Sequence, residues 1–399
     1  MLDLKSEYLY MKSDIDAAIA ACLEHQQWIL GPEVREFEEK IAEYIGVKHC
    51  IGTSSGTDAL VLVLRALAIK TKGEEYFNRN DLIITTPFTF TATGDAILRA
   101  GATPLFVDID PATYNIDLKQ IRSCLESFPH GLSPIAHCPF RILGILPVHL
   151  YGRSCQMDEI MSIAHEYGLF VVEDCAQAFG TEWQKANGER QKVGSIGTAG
   201  CLSFFPSKNL GGFGDAGAIT TNDNKLVGLI RMLIKHGGKD KYNVAHIGYN
   251  ARLDTLHAAI LLAKLKYVDE FNIRRQYIVQ LYTEGLKDIP GIVLPLASCL
   301  SPIPNNSSHV FHQFTLRILN GKRDALQRYL KGSGIDSMIY YPVPLHKMKV
   351  FSGRCVLYGG QLVSSEIVVE EVLSLPVEPL YSEDLIIEVV KAIREYYIN

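Results

Sequence analysis

The 399-residue sequence contains no Cys-x-x-Cys pair, no run of basic residues and no uninterrupted apolar stretch of ~18 residues. Each absence removes a class of function. Nine cysteines, an odd number without paired spacing, frame neither a disulfide scaffold nor a zinc knuckle, so no metal site is expected and a reducing cytoplasm fits best. A formal net charge of -5, with the charges scattered, offers nothing to a nucleic-acid backbone or an anionic membrane. The opening Met1-Leu2-Asp3-Leu4-Lys5 is too polar for the core of a signal peptide. No internal repeat or low-complexity tract is visible. A soluble, intracellular protein is expected.

What remains is a globular composition, 47% hydrophobic and 21% charged, long enough for two domains. Ile15, Ile19, Cys22 and Leu23 share one helical face, and Pro32 opens a second amphipathic helix with Val34, Phe37, Ile41 and Ile45 inward. Short β-branched runs then alternate with helical stretches: Leu82 to Thr86, Pro104 to Val107, Ile145 to His149, Leu169 to Glu173, Leu202 to Phe205 and Ala218 to Thr221. That alternation predicts an α/β fold, a mainly parallel sheet flanked by helices, over residues 1–250. From Ala251 to Glu284 neither glycine nor proline interrupts, which predicts a connecting helix leading into a smaller C-terminal α+β domain within 251–399. Residues 71–80 and 126–140 read as surface insertions.

Three segments carry candidate chemistry. Gly52-Thr53-Ser54-Ser55-Gly56-Thr57-Asp58 precedes a strong helix, so its free amides would sit at a helix N-terminus, where a phosphate binds; the same residues also make an ordinary helix cap. No P-loop lysine follows, so nucleotide triphosphate hydrolysis is not indicated. Val171-Val172-Glu173-Asp174-Cys175-Ala176-Gln177 ends a buried strand in a carboxylate, where ligands of open α/β sheets lie. Asp174 there is either a helix cap or the group that keeps a pyridine nitrogen protonated, with Gln177 in reach of the ring oxygen. Cys175 beside it has no neighbouring histidine and reads as a packing residue. Ser203-Phe204-Phe205-Pro206-Ser207-Lys208 sets a lysine among apolar and small residues, which favours a neutral amine over the solvated ammonium of most lysines. The Gly212-Phe213-Gly214-Asp215-Ala216-Gly217 match to a dinucleotide fingerprint precedes a strand rather than a helix and is set aside.

Taken together, the motifs resemble the DegT/StrS sugar aminotransferases, pyridoxal-phosphate-dependent enzymes of fold type I. Asp3-Leu4-Lys5, Gly31-Pro32-Glu33-Val34, Ser55 to Leu60, Thr86 to Thr93, His149-Leu150-Tyr151-Gly152, Glu173 to Gln177, Ser203 to Lys208, Asn250 to Asp254, Tyr341 to His346 and Ser374-Leu375-Pro376 match in order along nearly the whole chain. The resemblance implies that Lys208 forms the Schiff base, that Asp174 and Gln177 meet the ring, and that Phe90 stacks on it. It implies phosphate contacts from Gly56, Thr57 and Ser203, joined by Asn250 from the second subunit of a homodimer, with Arg252 and His346 lining the substrate cleft. Glutamate is the implied amino donor, leaving the pyridoxamine form, and a nucleotide-linked ketosugar the acceptor. The substrate is expected to be a 3-ketosugar, UDP-linked and N-acetylated, for surface polysaccharide, lipid A or glycoside synthesis. C4 amination and a dTDP-linked sugar stay open. Dehydratases of the family replace the lysine by histidine, which Lys208 argues against. A cofactor-binding regulator would carry a DNA-binding helix pair or a basic face, and neither is found. A nicotinamide-dependent dehydrogenase rests only on the misplaced glycine motif.

Overall fold

The computed structural model describes residues 2–127, 140–185, 187–240, 242–295 and 308–398. Helices α1 (Leu4–His25) and α2 (Pro32–Ile45) precede β1 (His49–Thr53) and α3 (Gly56–Lys72). Then come β2 (Asp81–Thr85), α4 (Thr91–Arg99), β3 (Thr103–Phe106), α5 (Leu118–Ser127), β4 (Arg141–Ile145), α6 (Met157–Tyr167) and β5 (Phe170–Asp174). A hairpin, β6 (Glu182–Gln184) and β7 (Arg190–Lys192), leads to β8 (Ala199–Ser203), β9 (Gly217–Thr221) and α7 (Asn224–Leu233).

The main sheet runs β1-β9-β8-β5-β4-β2-β3 and ends on β12 (Val356–Leu357), contributed by the C-terminal part of the chain. Pairing is parallel from β8 to β12, whereas β9 runs antiparallel to both β1 and β8. A strand buried on both faces reads as a continuous apolar run in either direction, so the mainly parallel expectation holds but β9's reversal is not legible in its residues. The strand expected at Ile145 to His149 pairs instead over Arg141–Ile145. Pro147 has no amide to give to a ladder, and beyond Ile145 the chain is tied in by single bonds, such as Leu146 to Ile84, and by an isolated bridge between Val148 and Asp174.

The long helix expected after residue 250 is two helices, α8 (Thr255–Leu265) and α9 (Val268–Leu286). Beyond them β10 (Ile292–Val293), β11 (Phe314–Ile318) and β13 (Val372–Leu375) form a second, antiparallel sheet. Helices α10 (Arg323–Gly332), α11 (Val363–Glu371) and α12 (Glu383–Ile398) complete this part. Its core gathers Ile278, Tyr282, Phe314, Leu316, Leu326, Leu373 and Ile393, separate from the core around α3 and the main sheet. No helix among the described residues is long and apolar enough to cross a membrane.

The insertion at 71–80 is anchored rather than free. Arg65, wholly buried on α3, donates to the Glu75 carbonyl at 2.5 Å, to the Glu75 carboxylate at 3.0 Å, to the Tyr249 hydroxyl at 2.7 Å and to the Ile247 carbonyl at 3.0 Å. Glu75 in turn meets His246 at 2.8 Å, so the insertion braces the segment leading to Asn250. Most of the other insertion, 128–139, lies outside the described residues. Replacing a buried, multiply bonded guanidinium strands its acceptors. Arg65→Leu should therefore cost about 3 kcal/mol or more in urea unfolding and open the 236–250 segment to limited proteolysis.

Candidate active site

Beyond the carboxyl ends of β5 and β8, against the N-termini of α3 and α4, lies a cavity of about 480 Å³. Ser55, Gly56, Thr57, Phe90, Thr93, Asp174, Gln177, Ser203, Ser207, Lys208, His312, Tyr340 and Tyr341 line it. Three turns build its floor.

The first is the start of α3. Ser55 caps the helix, its hydroxyl accepting from the Asp58 amide at 3.0 Å, which leaves the Gly56 and Thr57 amides at the open end. A Cβ on Gly56 would stand 2.6 Å from Ser203 Cβ, so only glycine lets the end of β8 come this close. A Cβ on Gly217, at the start of β9, would likewise stand 2.5 Å from the Ser55 carbonyl. Two amides at a helix N-terminus and a serine hydroxyl thus converge on one spot, the donor set that a phosphate takes.

The second turn follows β5. Asp174 is 4% exposed; one carboxylate oxygen accepts from the Ala176 amide at 3.2 Å and the other from the Thr93 hydroxyl at 2.9 Å. Burial raises its pKa, and these two donors, Lys208 and His149 oppose the rise. Its neighbour Glu173 points to the other face of the strand, where it accepts from the amides of Gly194, Ile196 and Gly197 at 2.7–2.9 Å and from His149 at 3.1 Å. The His149–Glu173–Cys175 cluster is thereby consumed in holding the fold. Burial drives the Cys175 thiol well up, away from a reactive thiolate. Gln177 is oriented by the Tyr151 amide at its carbonyl, 2.7 Å, and by the Tyr341 hydroxyl, which accepts from its amide at 2.8 Å.

The third turn leaves β8. The Lys208 amide donates to Phe205 at 2.8 Å, and Gly211 packs where a Cβ would lie 2.2 Å from the Pro206 carbonyl oxygen. Lys208 keeps some exposed surface, but it faces the cavity rather than bulk water, and desolvation lowers its pKa to about 8 against the pull of Asp174. His312, buried nearby, is held well below the ordinary histidine range by burial and by the charges of Lys208 and Arg275, so it faces the lysine as a neutral imidazole.

The sequence-predicted residues Gly56, Thr57, Phe90, Asp174, Gln177, Ser203 and Lys208 therefore share one cavity. Asn250 and Arg252 do not line it in their own chain: Asn250 is exposed and hydrogen-bonded to Arg252, which bridges back to Thr53. His346 is the correction. The Leu345 amide donates to the Pro87 carbonyl at 2.8 Å, and this pin turns His346 away to pair with Glu366 at 2.9 Å beside a separate depression with Lys347 and Gln361. The titratable groups that this loop does give to the cavity are Tyr340 and Tyr341. Sequence reading passed over them because a tyrosine before proline looks like loop. Thr93, three residues after Phe90, was legible as a polar group in the first turn of a helix, whereas nothing in the sequence marks His312.

Residues 10–394 match the model of the DegT/DnrJ/EryC1/StrS aminotransferase family. The chain is 40% identical over 399 residues to the "Pleiotropic regulatory protein" of Geobacillus stearothermophilus, covering 100% of this chain and 98% of that one. It is 38% identical over 378 residues to the UDP-2-acetamido-2-deoxy-3-oxo-D-glucuronate aminotransferase of Pseudomonas aeruginosa, covering 95% and 94%. It superposes on the crystal structure of DesV from S. venezuelae in complex with a ketimine intermediate, with a TM-score of 0.87 and 34% identity over 100% and 98% of the two chains.

Desolvation of Lys208 has a direct readout in the protein without cofactor. Competitive labelling by an amine-reactive anhydride should modify Lys208 half-maximally near pH 8, against about 10.4 for surface lysines. A labelling midpoint in the surface range would show that the amine is solvated.

Proposed function

Because the chain belongs to the DegT/DnrJ/EryC1/StrS aminotransferase family, and is a pyridoxal-phosphate-dependent aminotransferase of nucleotide-linked sugars, we propose that it aminates the C3 ketone of a UDP-linked N-acetylated sugar with L-glutamate as donor. The observation that carries the site assignment is the meeting, in one cavity, of a desolvated lysine, a buried carboxylate and an open helix N-terminus. When bound, pyridoxal phosphate supplies an aldehyde that takes up an amino group and a protonated ring that draws off electrons as a proton leaves the amino-bearing carbon.

The residues fit that group. Gly56, Thr57 and Ser203 would cradle its phosphate, and Asp174, bonded by Thr93 and Ala176, would serve its ring nitrogen. Gln177, in the same wall, would serve the ring oxygen, and Phe90 would supply an aromatic face. Lys208 would attach the cofactor. Once displaced by the amino donor, its Nζ, substantially neutral near pH 8, takes the proton from the donor carbon and, in the second half-reaction, delivers one to the sugar carbon.

The second substrate shares the cavity with the first, so the kinetics are ping-pong. The activity of the P. aeruginosa relative, on a 3-oxo UDP-sugar, supports the substrate assignment. The product serves surface polysaccharide, lipid A or glycoside synthesis. Seven described cysteines are all free thiols, which supports the reducing cytoplasm.

A homodimer completes the site, with Asn250 and Arg252 reaching the other subunit's cavity. Support comes from the exposure of the segment that carries Asn250, where Tyr242, Val244 and Ile247 are 85%, 58% and 60% exposed. The meeting of Lys208 and Asp174 in this chain's cavity supports catalysis rather than the regulatory role named for the G. stearothermophilus relative.

Two measurements test this reading. Purified protein loaded with pyridoxal phosphate should show a visible band near ~400–430 nm that glutamate bleaches and borohydride fixes covalently, with no covalent link in Lys208→Ala. A band untouched by glutamate would refute the donor, and no binding at all would refute the site. For the shared site, equimolar Lys208→Ala and Asn250→Ala proteins, each with little activity, should regain about a quarter of wild-type activity after subunit exchange, since half the molecules then carry one intact site of two. No regain after confirmed exchange would put Asn250 in its own subunit's site.

A further inference from the structure

Asp174 and Asp215 are the two carboxylates among the described residues that line the cavity, and one oxygen of Asp174 is held by a hydroxyl from another element. Thr93 lies in the first turn of α4, is 1% exposed, and donates to Asp174 at 2.9 Å. Thr89, 2% exposed, lies 3.2 Å from the Thr93 hydroxyl. An ionised carboxylate only accepts, so the single Thr93 proton goes to Asp174 and the Thr93 oxygen must accept from Thr89. The direction of both bonds is therefore set by the charge on Asp174. Neither hydroxyl is needed as a helix cap, because α4 starts at Phe90 without a side-chain cap.

We propose that Thr93, backed by Thr89, is a positioning residue that keeps Asp174 ionised and so keeps the proton on the cofactor's ring nitrogen. This rests on the reading of Asp174 as the ring-nitrogen partner. In a buried ring–carboxylate pair the proton has two homes, the ring nitrogen or the carboxylate oxygen. Low polarity favours the neutral arrangement, with the proton on oxygen. A hydroxyl donated to the carboxylate stabilises its anion and moves the proton back to the ring, where it strengthens the electron withdrawal that the reaction needs. The other charged or titratable groups around Asp174 are Lys208 and His149, with the Tyr341 hydroxyl and the thiols of Cys155, Cys175 and Cys201. Lys208 loses its ammonium once attached to the cofactor, and His149 is already spent on Glu173 and the Cys155 amide. Among side chains, the charge-holding role then falls to the threonine.

The test uses Thr93→Val, which keeps the shape and removes the hydroxyl, Thr93→Ser, which restores it, and Asp174→Asn, all loaded with excess pyridoxal phosphate. A ring nitrogen less firmly protonated withdraws fewer electrons from the bond to Lys208, so the visible band persists to higher pH. Thr93→Val should raise the pH midpoint of that band by about half a unit to one unit and lower kcat about ten-fold at nearly unchanged donor KM. Asp174→Asn should shift it further in the same direction, and Thr93→Ser should return both values close to wild type. If Asp174→Asn shifts the midpoint and Thr93→Val does not, the inference falls while the reading of Asp174 stands. The same holds if Thr93→Val lowers only thermal stability. If Asp174→Asn leaves the spectrum and its midpoint unchanged, the reading of Asp174 falls and the inference with it.

Discussion

Glu173 and Asp174 end β5 at 0% and 4% exposure, and carboxylates withdrawn that far from water must be met by donors from elsewhere in the fold. Side chains alternate along a strand, so the two charges face opposite sides and require two separate sets. Glu173 recruits three amides from the turn ahead of β8 together with His149. Asp174 recruits α4 through Thr93 and its own following turn through Ala176. One strand end thereby locates the helix beneath the cavity, the turn leading to the lysine strand and the loop after β4. The fold around the site is organised by unmet charge as much as by apolar packing.

The lysine side of the cavity is built by close approach instead. Gly56 against Ser203 and Gly217 against Ser55 let β8, β9 and the start of α3 meet at distances that any Cβ would prevent. The result is an arrangement in which amides, a hydroxyl and the lysine turn face one space without a bulky side chain between them. Desolvation of Lys208 follows from this crowding, and its pKa near 8 is a property of the turn as much as of the residue. The two halves of the site use different physics, and they meet at the paired ends of β5 and β8.

This division explains what could be read from the sequence. Lys208, Asp174, Gln177 and the Ser55 to Thr57 turn sit at junctions between an apolar run and a small-residue turn, a local signal, and all of them line the cavity. The strands were legible to within a few residues for the same reason, except β4, where Pro147 and the continuing apolar run mask the end of pairing. Much of what was not legible depends on approach from far along the chain. β9 is reversed between β8 and the distant β1, and the turning away of His346 is settled by Pro87 and Glu366, which no local pattern announces. Tyr341 reaches Gln177 across 164 positions of sequence, and Thr93 reaches Asp174 across 81. Contacts of that kind are tertiary facts.

The same contrast bears on where sugar selectivity resides. Polar atoms deep in the cavity are committed within the chain: Asp174 to Thr93 and Ala176, Gln177 to Tyr151 and Tyr341. Groups so committed cannot rearrange for one sugar over another without loosening the cofactor site, since a stranded buried donor or acceptor is costly. Discrimination between substrates must then come from the rim, where Phe90 and Phe205 are 56% and 49% exposed. The segment before Asn250 is fastened in turn through the insertion at Glu75. A change of preference at the rim would leave the buried bonds of Asp174 and Gln177 in place.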